Sequence, residues 1–130
     1  MKLKKLKFVF LAIWIVSLTS CSHRLVGTWN VERYETITPG SEAIRLYNIG
    51  SMTFNSDLSG SKDLNYSVMG IQRNDQVPFT WIWREGAFVT ISSEGSDFSK
   101  TWIIIENKRK SQIWKTTDGA DIIQTMELKK

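Results

Sequence analysis

Residues 77–92, VPFTWIWREGAFVTIS, decide the fold of this chain. Aromatic residues occupy every second position from Phe79 to Trp83, which places them on one face of a β-strand. After the turn-forming pair Glu85-Gly86 the next run alternates in the same way, with Val89 and Ile91 on one face. Two alternating runs joined by a short turn predict a β-hairpin.

The same pattern recurs from residue 26 to the C-terminus. Short β-branched and aromatic runs alternate with turns rich in Gly, Asp and Asn, and no stretch keeps the 3.6-residue period of a helix. Many short strands at near-regular spacing predict an antiparallel sandwich or barrel. Only residues 41–45 offer room for a short helix. The eight predicted strands span 26–37, 46–56, 62–69, 77–84, 87–92, 100–106, 111–117 and 121–129.

The strand at 100–106 breaks the alternation. Residues 102–105, Trp-Ile-Ile-Ile, are apolar on both faces of the predicted strand. Because successive side chains of a strand point to opposite faces, half of this run must point outward. We expect the outer half either to be covered by another part of the chain or to form an exposed apolar patch.

The first 21 residues have the three parts of a bacterial export signal. Four lysines precede an apolar run, 8–16, that is much shorter than the roughly 20 residues needed to span a membrane. Residues 18–21, Leu-Thr-Ser-Cys, then resemble the lipobox of bacterial lipoproteins, in which the cysteine is acylated. We therefore predict a signal peptide at 1–20, lipidation of Cys21, a tether at 21–25 and a β-domain at 26–130. A buried N-terminal helix and plain secretion are the alternatives.

The sequence after Cys21 bears on where such a protein would reside. Ser22 and His23 follow the cysteine, and the absence of Asp at the second position favours the outer membrane by resemblance to the enterobacterial sorting rule. No run of acidic residues follows Cys21, so we expect the domain to face the periplasm rather than the cell surface.

Removing the predicted signal changes the charge of the protein. The whole chain carries a formal charge of +4, but four lysines lie within residues 1–20 and no acidic residue does. The remaining chain has no net charge. Nucleic-acid binding needs a basic surface, so the composition gives no support for a nucleic-acid partner.

The sequence offers little for catalysis. His23 is the only histidine and lies beside the predicted anchor, so neither a Ser-His-Asp arrangement nor a zinc site is expected in the domain. Glu85 with Glu94 or Glu106 are the conceivable carboxylate pairs, but acids in turns and on exposed strand positions are usually only solvated. We expect no enzyme activity, no metal and no cofactor.

Residues 25–29, Leu-Val-Gly-Thr-Trp, match the Gly-x-Trp signature that opens the first strand of lipocalins and fatty-acid-binding proteins. Residues 52–57, 79–83 and 126–129 are similar to later strands of the small lipocalin-like lipoproteins common in Bacteroidetes, although Leu58 stands where those proteins usually have Gly. The resemblance implies one eight-stranded antiparallel up-and-down barrel. It also implies that Gly27 and Trp29 close one end, and that a basic residue stacks on the Trp. Lys115 and Arg109 are the candidates for that stacking residue.

A barrel of this family would hold a small apolar or amphipathic ligand. The candidate lining residues are aromatic or soft side chains on the predicted inner faces: Phe54, Tyr66, Phe79, Trp81, Trp83 and Met126. The alternative is a structural or protein-interaction lipoprotein whose core these side chains fill, using the barrel rim or the 102–105 strand against an envelope protein. Either protein is expected to be a monomer. Residues 108–110, with Lys129 and Lys130, form either a solvated turn and terminus or a contact with anionic headgroups.

Overall fold

The structure is a computed structural model that describes residues 23–118 and 121–130. The predicted signal peptide and the lipidation site, Cys21, lie outside the described residues. All regular secondary structure among the described residues is β-strand, and no helix there is long and apolar enough to cross a membrane. The strands are β1 (Gly27–Ile37), β2 (Ile44–Phe54), β3 (Ser59–Val68), β4 (Ile71–Asp75), β5 (Phe79–Arg84), β6 (Phe88–Ser92), β7 (Thr101–Asn107), β8 (Ser111–Asp118) and β9 (Ile122–Lys129).

The strands form one closed antiparallel barrel. Apart from β4 and β5, strands that are neighbours along the chain pair with each other, and β1 pairs with β9 to close the sheet. β4 and β5 occupy one position in the barrel, because β4 pairs with the last half of β3 and β5 with its first two residues. The predicted all-β, eight-stranded, up-and-down barrel is therefore confirmed, and the sandwich is excluded.

The sequence missed β4. The predicted strands leave residues 70–76 as a connection, whereas the chain reverses at Met69 and Gly70, both with positive φ, so that Val68 pairs directly with Ile71. Two residues of positive φ make the tight hairpin turn that suits the twist of flanking strands. Pro78, which has no N–H for the ladder, then separates β4 from β5.

Two other local predictions were wrong. Residues 41–45 are not helical, because β2 already begins at Ile44 and pairs with β1 from there. The turn between β2 and β3 ends sooner than predicted, so β3 begins at Ser59. Leu58 takes the left-handed conformation at φ 71°, which glycine adopts more easily. The turn therefore keeps the backbone expected of a glycine, although a leucine occupies the position.

Aromatic side chains fill the middle of the barrel. Trp29, Trp102 and Trp114 are completely buried. The Phe54 ring lies 5.1 Å from that of Phe79, centroid to centroid, in the edge-on geometry that aromatic pairs favour. On β7, Trp102 points inward as part of this core, whereas Ile103 and Ile105 point outward and are 43% and 59% exposed. The run that is apolar on both faces thus has an uncovered outer side.

The end of the barrel where the described chain begins is closed by Trp29. We call this the N-terminal end; it comprises residues 23–26, the turns at 55–58, 85–87 and 108–110, and Lys130. The Trp29 indole N–H donates to the Leu25 carbonyl at 2.8 Å, and Leu25 is fully buried. Residues 23–25 of the predicted tether thus contact the barrel.

Lys130 is the basic residue over the signature tryptophan. Its Nζ lies 5.2 Å from the centroid of the Trp29 ring and donates to the Val26 carbonyl at 2.9 Å. Gly27, at φ 130°, makes room for it, since a Cβ there would lie 2.7 Å from that Nζ. Neither sequence candidate takes this place: Lys115 is exposed on the outer face of β8, and Arg109 lies in the exposed β7–β8 turn.

Candidate binding cleft

The opposite end of the barrel carries two adjoining cavities, which we call together the mouth cleft. The larger has a volume of about 200 Å³ and the smaller about 130 Å³. Tyr66, Arg73 and Asp97 line both, so the two are parts of one depression. The larger part is lined by Tyr34, Thr36, Ile44, Leu46, Tyr66, Val68, Arg73, Asp97 and Gln124.

Strand register brings these side chains together. Tyr34 of β1 lies opposite Leu46 of β2, and Tyr66 of β3 lies opposite Arg73 of β4. Opposed residues in an antiparallel pair project to the same face, so these four point toward the mouth of the barrel. The short β4 hairpin is therefore what places a guanidinium group beside a tyrosine of the core.

The floor of the cleft is made by two tyrosines. The Tyr66 hydroxyl donates to Asp97 Oδ2 at 2.9 Å, and Gln124 Nε2 donates to the Tyr34 hydroxyl at 2.8 Å. Burial, and then the negative charge of Asp97, raise the pKa of Tyr34 to about 12. Burial and the hydrogen bond to Asp97 likewise raise the pKa of Tyr66. Both phenols are therefore protonated at neutral pH.

Arg73 and Asp97 both line the cleft, and neither forms an ion pair with the described residues. The Arg73 side chain is exposed and makes no hydrogen bond there either, whereas Asp97 Oδ2 accepts the Tyr66 hydroxyl. Ile44, Leu46 and Val68 line the same cleft as a half-buried apolar wall. An unpaired guanidinium beside an apolar wall suits a molecule with an anionic group and an apolar body.

A buried ion pair supports the smaller part of the cleft. The Lys62 side chain is completely buried, and its Nζ donates to Asp75 Oδ1 at 2.7 Å, to the Val77 carbonyl at 2.8 Å and to Ser93 Oγ at 2.8 Å. Ser96 Oγ donates to the other Asp75 oxygen at 2.5 Å. Every polar group of the pair is thereby bonded, which is the condition for burying charge at moderate cost.

This network fixes the elements that carry Arg73 and Asp97. It ties the end of β4 to β3 and to the loop at 93–97. Burial alone would raise the pKa of Asp75, but the hydrogen bonds from Lys62, Ser96 and the Val77 N–H outweigh burial and hold that pKa below its usual value. Asp75 is therefore a carboxylate at neutral pH, and Lys62 and Asp75 act as positioning residues for the cleft.

The predicted lining residues are divided between the cleft and the core. Tyr66 lines the mouth cleft. Phe54, Phe79 and Trp81 are almost fully buried and pack on one another, and Met126 is fully buried on β9. Trp83 is half-buried at the N-terminal end, where its ring lies 4.1 Å from that of His23. The structure thus brings one of the six predicted residues to the described cleft.

Sequence reasoning missed Tyr34, Arg73 and Asp97 as cleft residues. The predicted strands leave Arg73 and Asp97 in connecting segments, where Asp usually bonds its own backbone, whereas Asp97 accepts a hydrogen bond from Tyr66, 31 residues away. One feature of the sequence could have pointed to the polar network beside the cleft. Lys62 lies two residues before Leu64 and four before Tyr66, so the alternation places a charged side chain on the apolar face of that strand.

One of the two conceivable carboxylate pairs, Glu85 with Glu94, is divided between the two ends of the barrel. Glu85 lies in the turn at the N-terminal end, and Glu94 lies in the loop beside the mouth cleft, so the barrel separates them. Glu106 accepts hydrogen bonds from Ser111 and Lys108, which lower its pKa. The described residues contain no group of three His, Cys, Asp or Glu side chains able to hold a metal ion.

Comparison of the chain with protein-family models, with curated proteins and with solved structures found no match. The architecture is an all-strand, eight-stranded antiparallel barrel, which is compatible with a lipocalin-like fold and with either a ligand-binding or a structural role.

Proposed function

We propose that this protein is a lipid-anchored, non-enzymatic binding protein of the cell envelope, which holds a small amphipathic molecule in the mouth cleft. The observation that carries the proposal is that the unpaired guanidinium of Arg73 and a half-buried apolar wall line one cleft. The proposal differs from the sequence-based expectation in one respect: the ligand lies at the mouth of the barrel, whereas the aromatic middle is packed with its own side chains.

The chemistry of the cleft favours an anionic headgroup. Arg73 can donate two parallel hydrogen bonds to a carboxylate or phosphate, while Ile44, Leu46 and Val68 contact the apolar part. A cationic headgroup would pair with Asp97, but the Tyr66 hydroxyl holds Asp97 Oδ2 in place, whereas Arg73 has no hydrogen-bond partner among the described residues and is freer to turn toward a ligand. A volume of about 200 Å³ is small for a whole lipid, so the occupant is either a short-chain molecule or one end of a longer one.

Anchoring and location complete the proposal. Cys21 lies two residues before His23, at which the described chain meets the barrel. Acylation of Cys21 with two or more chains would hold the domain stably at a bilayer, whereas one chain would not. We place the protein on the periplasmic side of the outer membrane, by the sorting residues Ser22 and His23.

A second candidate function is protein contact through the outer side of the barrel. Ile82 on β5, Phe88 on β6, and Ile103 and Ile105 on β7 lie on neighbouring strands and are 41–59% exposed. Phe88 lies directly opposite Ile103 in the ladder, so the exposed groups are continuous. An envelope protein with a complementary apolar face would bury this patch.

Native mass spectrometry of the protein purified from envelopes separates the two functions. We expect a bound small molecule on the wild-type protein and its loss from Arg73→Gln. Arg45→Gln is the matched control, since Arg45 is also exposed and lies on β2 beside the cleft wall but pairs with Glu35. A stoichiometric protein partner and no small molecule would support the second function and contradict the first.

A further inference from the structure

We propose that the N-terminal end of the barrel is a docking surface for an anionic lipid bilayer, which directs the mouth cleft away from the membrane. The inference rests on the charge, the exposed apolar groups and the path of the chain at that end. It does not depend on the ligand of the mouth cleft, so the two proposals can fail separately.

The net charge of zero conceals an uneven distribution. Seven of the basic side chains after residue 20 lie at the N-terminal end or on the last three residues of the strands that lead to it, against four acidic ones. The acids are Asp57, Glu85, Glu106 and Glu127. The bases are Arg24, Arg84, Lys108, Arg109, Lys110, Lys129 and Lys130. A domain without net charge therefore presents a positive end.

Three of these cations are free to meet a surface. Lys108 pairs with Glu106 at 3.2 Å and Lys129 with Glu127 at 3.6 Å, so those charges are largely compensated. Arg84, Arg109 and Lys110 are exposed and have no ion pair within the described part of the chain. Residues 109 and 110 lie at the tip of the β7–β8 turn, the geometry in which a side chain reaches a plane beyond the barrel.

Apolar side chains share this end with the cations. Leu58 in the β2–β3 turn, Phe88 at the start of β6 and Ile105 near the end of β7 are 48%, 41% and 59% exposed. Exposed aliphatic and aromatic groups among basic residues are typical of surfaces that lie in the headgroup region of a bilayer. A nucleic acid would use the cations but not the isolated leucine and isoleucine.

The path of the chain leads to the same face. His23 packs on Trp83 at this end, and Arg24 Nη1 donates to the Asn107 carbonyl at 2.9 Å, beside the basic turn. If Cys21 is lipidated as we propose, only Ser22 separates the lipid anchor from His23, so the anchor would lie near this end. Burial, and then the charge of Arg24, lower the pKa of His23, so the imidazole is neutral at neutral pH and the arginines and lysines supply the charge.

Hydrogen exchange of the full chain in nanodiscs tests the inference. With about 30% phosphatidylglycerol we expect slower exchange of residues 107–111 than in pure phosphatidylcholine nanodiscs, and no change in the loop at 93–97, which serves as the internal control. Since each basic residue near an anionic surface contributes about a fivefold change in the docked population, Lys110→Gln should lower the protection about fivefold. Arg109→Gln/Lys110→Gln should lower it about 25-fold.

Lys115→Gln is the matched control, because Lys115 is exposed on the outer side of β8, five residues beyond Lys110 and outside the β7–β8 turn, and has no ion pair in the described structure. It should leave the protection unchanged. Equal exchange of residues 107–111 in both lipids would overturn the inference, as would protection of the 93–97 loop instead. Protection in both lipids that survives Arg109→Gln/Lys110→Gln would also overturn it, since that result indicates an uncharged contact.

Discussion

The buried pair of Lys62 and Asp75 allows the sharpest prediction about stability. Asp75→Asn keeps the shape of the side chain and one acceptor oxygen but removes the negative charge. Lys62, completely buried, then becomes an uncompensated cation held only by the Val77 carbonyl, the Ser93 hydroxyl and an amide oxygen. Breaking a buried ion pair in this way costs about 3–5 kcal/mol. We expect a loss in the lower half of that range, because Asp75 itself is 10% exposed.

The double variant Lys62→Met/Asp75→Asn gives the control. Both charges are removed, and methionine fills the volume of the lysine stem, so we expect it to be more stable than Asp75→Asn alone. Urea unfolding at pH 7, monitored by tryptophan fluorescence, measures all three free energies of unfolding. A loss below about 1 kcal/mol for Asp75→Asn would refute the reasoning, since Lys62 would then be compensated by something other than Asp75.

The same carboxylate predicts a pH dependence. The folded-state pKa of Asp75 lies below its usual value of 3.8, so the stabilisation by its charge is fully present above that pH and is lost as the pH falls through the folded-state pKa. The difference in unfolding free energy between wild type and Asp75→Asn should therefore shrink below about pH 4. A constant difference down to pH 2 would contradict the assignment of the charge.

The remaining predictions concern the backbone and the tyrosine floor. Gly27→Ala should lower the free energy of unfolding by about 1–3 kcal/mol in thermal or urea melts, because φ 130° strains any residue with a Cβ, and the loss should persist in Lys130→Ala, which removes the clash but not the strain. Leu58→Gly should raise the unfolding free energy by about 0.5–1 kcal/mol, because it relieves a left-handed leucine; a lower melting temperature would contradict this. Wild type should lose stability between about pH 10 and 12, since the unfolded Tyr34 ionises before the folded one, and Tyr34→Phe should lose less over that range; equal losses would contradict the raised pKa.

The alternation of apolar and polar residues along the strands was enough to predict most of the fold. The side chains of Phe79 and Trp81 point inward as their spacing predicts, and Trp102 and Ile103 lie on opposite faces of β7. These features depend only on the two-residue period of a strand, which the sequence displays directly. Alternation alone predicts either a barrel or a sandwich. The choice of a barrel came from the resemblance of the motifs, in their order along the chain, to those of lipocalin-like proteins.

The features that could not be predicted from the sequence depend mostly on contacts between residues distant in sequence. β4 requires a tight turn at Met69-Gly70, a pair that carries a weaker hairpin signal than Asn-Gly. Lys130 reaches Trp29 only because β1 and β9 close the barrel, so nothing near residue 130 marks it. The mouth cleft likewise depends on the register that sets Tyr66 opposite Arg73.

The central claim is that the mouth cleft binds an amphipathic anion through Arg73, and an NMR titration of the isotope-labelled protein with decanoate tests it most directly. We expect backbone shifts at Ile44, Leu46, Val68 and Arg73, about fourfold weaker binding for each methylene removed from the chain, and about tenfold weaker binding to Arg73→Gln. Decylammonium should bind more weakly than decanoate. Equal binding of the two ions, or shifts confined to the outer residues Ile103 and Ile105, would contradict the account.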